Sequence, residues 1–241
     1  MALADFDVLT FDCYGTLIDW ETGIWDALQS LIARNGRSDI HRAYALEAFA
    51  ELESREESAA PGLVYTEVLA RVHHALAARL ELRTTPELDN AFGSSIPHWP
   101  AFPDTADALR YLKTRYKLVV LSNVNRDGFA ESNRKLGVTF DAVYTAEDIG
   151  SYKPAPANFE YMLTRLRSDH GLEPSRILHT AQSLFHDHAP AKALGLSTAW
   201  IDRQRLSQGG SWGATMKPEQ RPEPDFIFFT MAEMAEAVRG G

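Results

Sequence analysis

Five polar side chains in this sequence are placed where they could act on a small molecule. Asp12 closes the run Val8-Leu9-Thr10-Phe11, and Gly15 follows as a point at which the chain can turn. The run is apolar and β-branched, and short enough for a buried strand. A carboxylate at the carboxyl end of a central strand lies where open α/β sheets bind ligands. Held in line with an electrophilic carbon or phosphorus, it forms an ester. A strand-ending Asp that caps the next turn is the plainer alternative. Thr16 adds a hydroxyl in the same turn, or caps a helix. Ser122 and Asn123 end a second apolar run and offer donors to a substrate carboxylate or phosphate. Both also suit a helix N-cap, and the backbone amides of such a turn bind anions as well. Lys153 supplies a cation on a loop stiffened by Pro154 and Pro156; a solvated loop lysine is the commoner use of that residue.

The elements that must position these groups alternate in type. After Trp20, Ile24, Leu28, Leu31 and Ile32 recur at helical spacing, and 43–52 and 65–82 continue the pattern. Glu53–Glu57 and the Ala59-Ala60-Pro61-Gly62 break read as a charged helix end and a loop. Nothing in 21–97 reads as a strand. Beyond the proline-rich 97–103 segment, strands are expected at 118–121, 142–145, 177–181, 198–201 and 226–229. Helices are expected at 105–115, 126–136, 156–167 and 189–194. The alternation predicts a parallel sheet, with strand ends gathered on one edge by the right-handed crossover rule. Residues 208–223, rich in Gly and Pro, read as a surface loop.

Composition narrows the function classes. A net charge of −9 and a pI near 5.4 argue against a nucleic-acid face. An anionic substrate must therefore be captured by local donors. The single cysteine, Cys13, permits no intramolecular disulfide and suits a reducing cytoplasm. Its side chain is expected to point away from Asp12 in a structural role. The N-terminus has no signal-peptide pattern, and no run is long enough to span a membrane.

Asp-x-Tyr-Gly-Thr at 12–16, Leu-Ser-Asn at 121–123, Lys-Pro at 153–154 and an acidic loop ending at Asp187 occur in that order. Together they resemble the four motifs of the haloacid dehalogenase superfamily. The Asp-Trp pair at 19–20 resembles its 2-haloacid dehalogenase branch. The resemblance runs over nearly the whole chain and is weakest from about 23 to 96. It implies a Rossmann-like α/β core over 1–16 and 98–241, with an inserted all-helical cap over 17–97. It also implies a homodimer.

The same resemblance implies an Asp12 nucleophile kept ionised by Lys153, which would lower its pKa. Magnesium-dependent phosphatases of the superfamily carry a second Asp two residues after the nucleophile, where this chain has Tyr14. They also carry a Gly-Asp pair where it reads Thr180-Ala181-Gln182-Ser183. A hard cation such as Mg²⁺ prefers carboxylate oxygens, so a site with no metal and no cofactor is expected, and phosphatase chemistry is disfavoured. The expected reaction is displacement at C2 of a small 2-substituted carboxylate by Asp12. Water polarised around Asp187 and Lys153 then cleaves the ester, with inversion at C2. Tyr14, Ile18 and Trp20 would form an apolar wall, although each also suits core packing.

Three departures touch the leaving group or the substrate. The dehalogenases receive halide on an arginine in the early cap helices, and Arg34, Arg37 and Arg42 are the residues available. A Ser-Ser-Asn run is Gln182-Ser183-Leu184 here, and a tyrosine six residues after the motif lysine is Phe159. The stretches 5–24, 179–188 and 213–222 are also similar to the L-azetidine-2-carboxylate hydrolases. These relatives open a strained cyclic amine with the same aspartate. An amine leaving group needs a proton donor, for which His186 or His188 is available. His179, His186 and His188 also suit structural roles, and their spacing around Asp187 permits a metal site lacking further ligands. Halide is the first expectation for the leaving group and azetidine nitrogen the second. A non-catalytic binding protein is the alternative of a different class.

Overall fold

The computed structural model describes residues 1–240. Its centre is β1 (Val8–Phe11), whose four residues are all buried. The chain then leaves the sheet for four helices, α1 (Trp20–Arg34), α2 (Arg42–Ala59), α3 (Tyr65–Arg79) and α4 (Pro86–Gly93). It returns through α5 (Thr105–Leu112) and β2 (Lys117–Ser122). There follow α6 (Arg126–Leu136), β3 (Ala142–Thr145), α7 (Ala146–Ile149) and α8 (Pro156–His170). The chain ends with β4 (Ile177–Ala181), α9 (Ala189–Ala193), β5 (Ser197–Ile201), β6 (Phe226–Phe228) and α10 (Met231–Gly240). The six strands form one parallel sheet in the order β3-β2-β1-β4-β5-β6, with helices packed on it. This is the expected α/β class.

That order puts a topological switch point at β1, where connections run off to either side, so a crevice opens at the strands' carboxyl ends. Register makes the placement specific: Phe11 pairs with Val120 and with Thr180. Asp12 is therefore level with Leu121 and Ala181, one residue short of Ser122 and Gln182 at the same edge. Immediately after Asp12 the chain turns at Gly15, whose φ of +94° disfavours any side chain. A Cβ there would also lie 3.1 Å from the Gln182 amide oxygen.

One core cluster runs continuously from β1 into the four early helices and includes Phe11, Leu17, Ile24, Leu28, Phe49, Val72 and Trp99. Gly23 lets α1 approach closely, because a Cβ there would meet the Trp99 ring at 2.3 Å. A second cluster lies under α8, with Val8, Val119, Phe159, Met162 and Leu166. Local chemistry sets the helix ends. Asp19 caps α1 by accepting from Thr22 N at 3.1 Å, and Gly137 and Gly171 close α6 and α8 in the left-handed conformation.

The Glu53–Glu57 stretch is the charged end of α2, as expected, and the helix stops at Ala59, at the expected break; Glu53 and Glu57 turn inward from it and line a cavity. The 208–223 segment is largely irregular, as expected, but Ala214, Thr215 and Met216 fold back over the strand ends instead of facing solvent. Helices α4 and α10 were not anticipated. The first is short, and it is set by Thr85 as N-cap and Pro86 at its first position.

Candidate active site

Asp12 is 6% exposed, and each of its carboxylate oxygens has one donor. Lys153 Nζ donates to Oδ1 at 2.9 Å, and Thr16 Oγ1 donates to Oδ2 at 2.8 Å. Thr16 Oγ1 in turn accepts from the backbone N–H of Gln182 at 2.9 Å, tying β1's end to that of β4. The N-cap of α1 is Asp19, so Thr16 serves the carboxylate and not a helix.

Lys153 is 2% exposed and spends all three of its N–H groups. Besides Asp12 they reach the Leu121 carbonyl at 3.0 Å and Asp187 Oδ1 at 2.6 Å. Its backbone is clamped by Asn123: Lys153 N–H donates to Asn123 Oδ1 at 2.7 Å, and Asn123 Nδ2 donates to Lys153 O at 3.0 Å. Asn123 thus fixes the lysine. Ser122 Oγ is buried without a hydrogen-bond partner, and Ser122 is not among the residues that line the cavity over Asp12.

Asp187 sits on a π-helical turn, Leu184–His188, which places its Oδ1 against Lys153 and against His179 Nε2 at 3.0 Å. His179 Nδ1 is 2.9 Å from Thr10 Oγ1. A His179 that donates to Asp187 therefore accepts from Thr10. Asp187 Oδ2 has no hydrogen-bond partner.

The charges of this triad are set by a contest between burial and pairing. Burial pushes the Asp12 carboxyl above the usual range; Lys153 pulls it back and Asp187 pushes it further up. Lys153 thus lowers Asp12 by charge pairing, as expected, but desolvation is the larger effect and leaves the carboxyl raised. Burial opposes the Asp187 charge too, yet Lys153 and His179 outweigh it and hold that carboxyl well below normal. Lys153 is driven upward by its two carboxylates against its own desolvation, and stays an ammonium.

The cavity over this triad has a volume of about 70 Å³, several times the ~10–15 Å³ a water needs, which suits a small molecule. Tyr14, Trp20, Asn123, Gln182, Ser183 and His186 line it together with Asp12, Lys153 and Asp187. Ile18 and Phe159 do not. Both are fully buried, Ile18 bridging to Ala101 and Phe159 edge-on to His179 at 5.0 Å. Their expected contact with substrate gives way to core packing, the usual fate of an apolar side chain. Cys13 is buried as well, in the structural position expected.

The cavity's remaining lining comes from residues that the motifs did not flag: Glu53 and Glu57 of α2, Tyr65 of α3, and 214–216. Tyr65 donates to Glu53 Oε1 at 2.6 Å, and Asn123 Nδ2 approaches the two Glu57 oxygens at 3.3 and 3.4 Å. Burial raises both glutamates, Glu53 to about 7 and Glu57 well above normal, where Glu53 adds repulsion. The four-residue spacing that puts both on one helix face was present in the sequence. Arg34, Arg37 and Arg42 line none of this cavity. Arg37 pairs with Asp39 in solvent, and Arg42 donates to Thr22 Oγ1 beside a larger outer cavity of about 750 Å³. The outer cavity shares Ala50 and 214–216 with the inner one.

His186 faces the cavity, and burial depresses it to about 4, so it is neutral near pH 7. His188 lies outside the lining, its Nε2 donating to Ala181 O at 3.0 Å, and burial depresses it to about 4 as well. The donor set does not suit a divalent cation. Among the described residues no three His, Cys, Asp or Glu side chains are grouped to hold one. The space between Asp12 and Asp187 belongs to the Lys153 ammonium. Gln182 is engaged with Gln204 at 2.7 Å and Thr215 at 3.3 Å, and the Tyr14 hydroxyl with Ser132 at 3.0 Å.

Comparison with known proteins identifies the family and the fold. Residues 6–181 match the haloacid dehalogenase-like hydrolases. The chain is similar to (S)-2-haloacid dehalogenase 4A of Burkholderia cepacia, at 27% identity over 80% of this chain and 82% of that protein. The fold is similar to that of L-2-haloacid dehalogenase from Xanthobacter autotrophicus, with TM-score 0.78, 20% identity and coverage of 98% of this chain and 99% of the other. The same Xanthobacter enzyme with chloropropionic acid covalently bound has TM-score 0.77 at 19% identity, with 98% and 99% covered. A Bacillus subtilis HAD-hydrolase structure bound to magnesium is also similar in fold, with TM-score 0.75 at 17% identity over 97% and 99%, so the fold alone does not fix the chemistry. The chain belongs to the haloacid dehalogenase-like hydrolases.

Proposed function

We propose that this hydrolase displaces the substituent at C2 of small 2-substituted carboxylic acids through an ester on Asp12, using no metal. The observation that carries the reading is the Lys153 ammonium placed between Asp12 and Asp187, where it stands in for a cation. Asp12, oriented by Thr16 and Lys153, attacks C2 from the side opposite the leaving group. The aspartyl ester forms with inversion. A water held at Asp187 then attacks the ester carbonyl, and Lys153 stabilises the oxyanion that develops on it. Collapse frees the 2-hydroxy acid and restores Asp12. Residues 17–97 act as a cap that closes the cavity over the substrate, with Tyr14 and Trp20 as its apolar wall.

Halide is the leaving group that the named relatives suggest. A second reading, ring opening of an azetidine-2-carboxylate, is favoured by one observation: no arginine lines the cavity, and two glutamates do. The test follows chloride release from L-2-chloropropionate and ring opening of L-azetidine-2-carboxylate, each with EDTA present, for the native enzyme and Asp12→Asn. Turnover of either substrate that vanishes in the variant is expected. Activity confined to phosphate esters and dependent on Mg²⁺ would sink the proposal.

A further inference from the structure

Opposite Asp12 the cavity presents a feature that the displacement itself does not use. Glu53 and Glu57 project into it from α2, and Glu57 is only 5% exposed. The sole cationic side chain of the lining, Lys153, has no N–H left for a departing anion. A halide expelled toward α2 would meet two carboxylates, and the Asn123 amide beside them is already held by Lys153 O and Glu57. A second observation points to a ligand in the same space: Asp187 lines the cavity at 1% exposure with Oδ2 unpartnered.

We propose that Glu53 and Glu57 form the leaving-group site of this enzyme, which receives a nitrogen at C2 and supplies the proton the departing amine needs. The inference rests on the Asp12 displacement proposed above and names the substrate class for it, a 2-carboxylate whose C2 substituent is a protonable amine. Two carboxylates one helical turn apart, one buried and the other half-buried, do not both ionise readily. The pair therefore keeps a proton more readily than a solvated glutamate does, in keeping with the raised position of each. The ionised member accepts an N–H of the incoming ammonium, and the protonated member is the acid. His186 fills neither role, because its neutral ring lies with Nδ1 3.2 Å from Ser183 Oγ.

The step balances. An Asp12 oxygen forms the bond to C2, and the C–N electron pair leaves with nitrogen. The resulting neutral amine takes the proton of the glutamate pair. In the second half, water adds to the Asp12 carbonyl carbon and gives one proton to Asp187, from which it returns to the pair. Collapse of the tetrahedral species expels the C2 oxygen, which takes the other proton as the product hydroxyl. The groups facing the pair are Tyr65 from α3, Tyr152 and Lys153 from the motif loop, and Tyr14, Asp12, Asp187 and His186 from the sheet edge.

The experiment compares the native enzyme with Glu57→Gln, Glu53→Gln, Glu57→Asp and Asp12→Asn. L-azetidine-2-carboxylate and L-2-chloropropionate are the substrates, and kcat and KM are measured separately across pH. Glu57→Gln is expected to lower kcat on the azetidine by about 100-fold or more and to abolish the fall in rate at high pH. Glu57→Asp should retain that fall. The ratio of azetidine to chloropropionate turnover should fall by about 100-fold in Glu57→Gln and fall in Glu53→Gln as well, because the acid is lost while repulsion of the halide is relieved. Equal losses on both substrates, or turnover of the halide alone by the native enzyme with no effect of either glutamine, would overturn the inference and leave Asp12 in place. Turnover that persists in Asp12→Asn would overturn the displacement itself. Should Glu57→Gln fail to fold, Glu53→Gln gives the same comparison from the cavity's less buried member.

Discussion

The Lys153 ammonium lies 2.9 Å from Oδ1 of Asp12, and both groups are almost fully buried. Their sequence separation of 141 residues is closed by the parallel sheet: Asp12 ends the central strand, and the Asn123 clamp brings the lysine loop to its neighbour. A buried ion pair with one partner deleted leaves an uncompensated charge, at a cost of about 3–5 kcal/mol. Here the deletion would leave two carboxylates together. Lys153→Met should therefore lower the melting temperature by roughly 10 °C and reduce turnover by about 10³-fold or more. Calorimetry and steady-state kinetics check this. A variant as stable and as active as the native protein would contradict the role of the ammonium.

Thr16→Val removes the donor to Asp12 Oδ2 and the acceptor for Gln182 N–H while keeping the side chain's shape. A hydrogen bond to a charged group contributes about 1.5–3 kcal/mol, so kcat/KM should fall about 10- to 100-fold. Asp12 attacks only when ionised, and burial already raises its pKa while Thr16 lowers it. Activity is accordingly lost as pH falls through that raised value, and the variant's acid limb should move to still higher pH. A pH–rate profile decides it; an unmoved limb would show that Thr16 does not act on the nucleophile.

The cavity glutamates should make the fold less stable than it could be. A carboxyl raised in the folded state binds a proton there that the unfolded chain has already lost. For Glu53, raised from 4.5 to about 7, the cost is absent below pH 4.5, grows as pH rises to about 7 and is constant above that. Glu53→Gln and Glu57→Gln should each raise the melting temperature by a few degrees at pH 8, and the gain should disappear below about pH 4.5. Thermal melts at the two pH values test this. Destabilisation at pH 8 would mean the glutamates are held by interactions stronger than their desolvation.

Much of this architecture was legible in the residues. The Val8–Phe11 run with Asp12 at its end, and the alternation of apolar runs with helical spacing, gave the parallel sheet with its motif residues on one edge. What stayed hidden depended on tertiary placement. Ile18 and Phe159 have the apolar character of a pocket wall and of a core alike, and only packing distinguishes the two. Glu53 and Glu57 read only as a charged helix end, and nothing local says that their face of α2 closes on the cavity over Asp12. Ala214, Thr215 and Met216 sit in a Gly- and Pro-rich segment whose path no periodicity specifies. Lys153 was found as a cation, but the net direction of the Asp12 shift required knowing that Asp187 shares the same ammonium at 2.6 Å.

The most direct test of the ester on Asp12 is a single turnover in H₂¹⁸O with enzyme in excess over whichever of the two acids is turned over, followed by mass spectrometry of the peptide containing Asp12 and of the product. Water that attacks the aspartyl carbonyl leaves its oxygen in the enzyme. The Asp12 peptide should therefore gain ¹⁸O while the first-turnover 2-hydroxy acid stays unlabelled. Label in the product hydroxyl with none in the Asp12 peptide would mean that water attacks C2 directly, contradicting the covalent displacement.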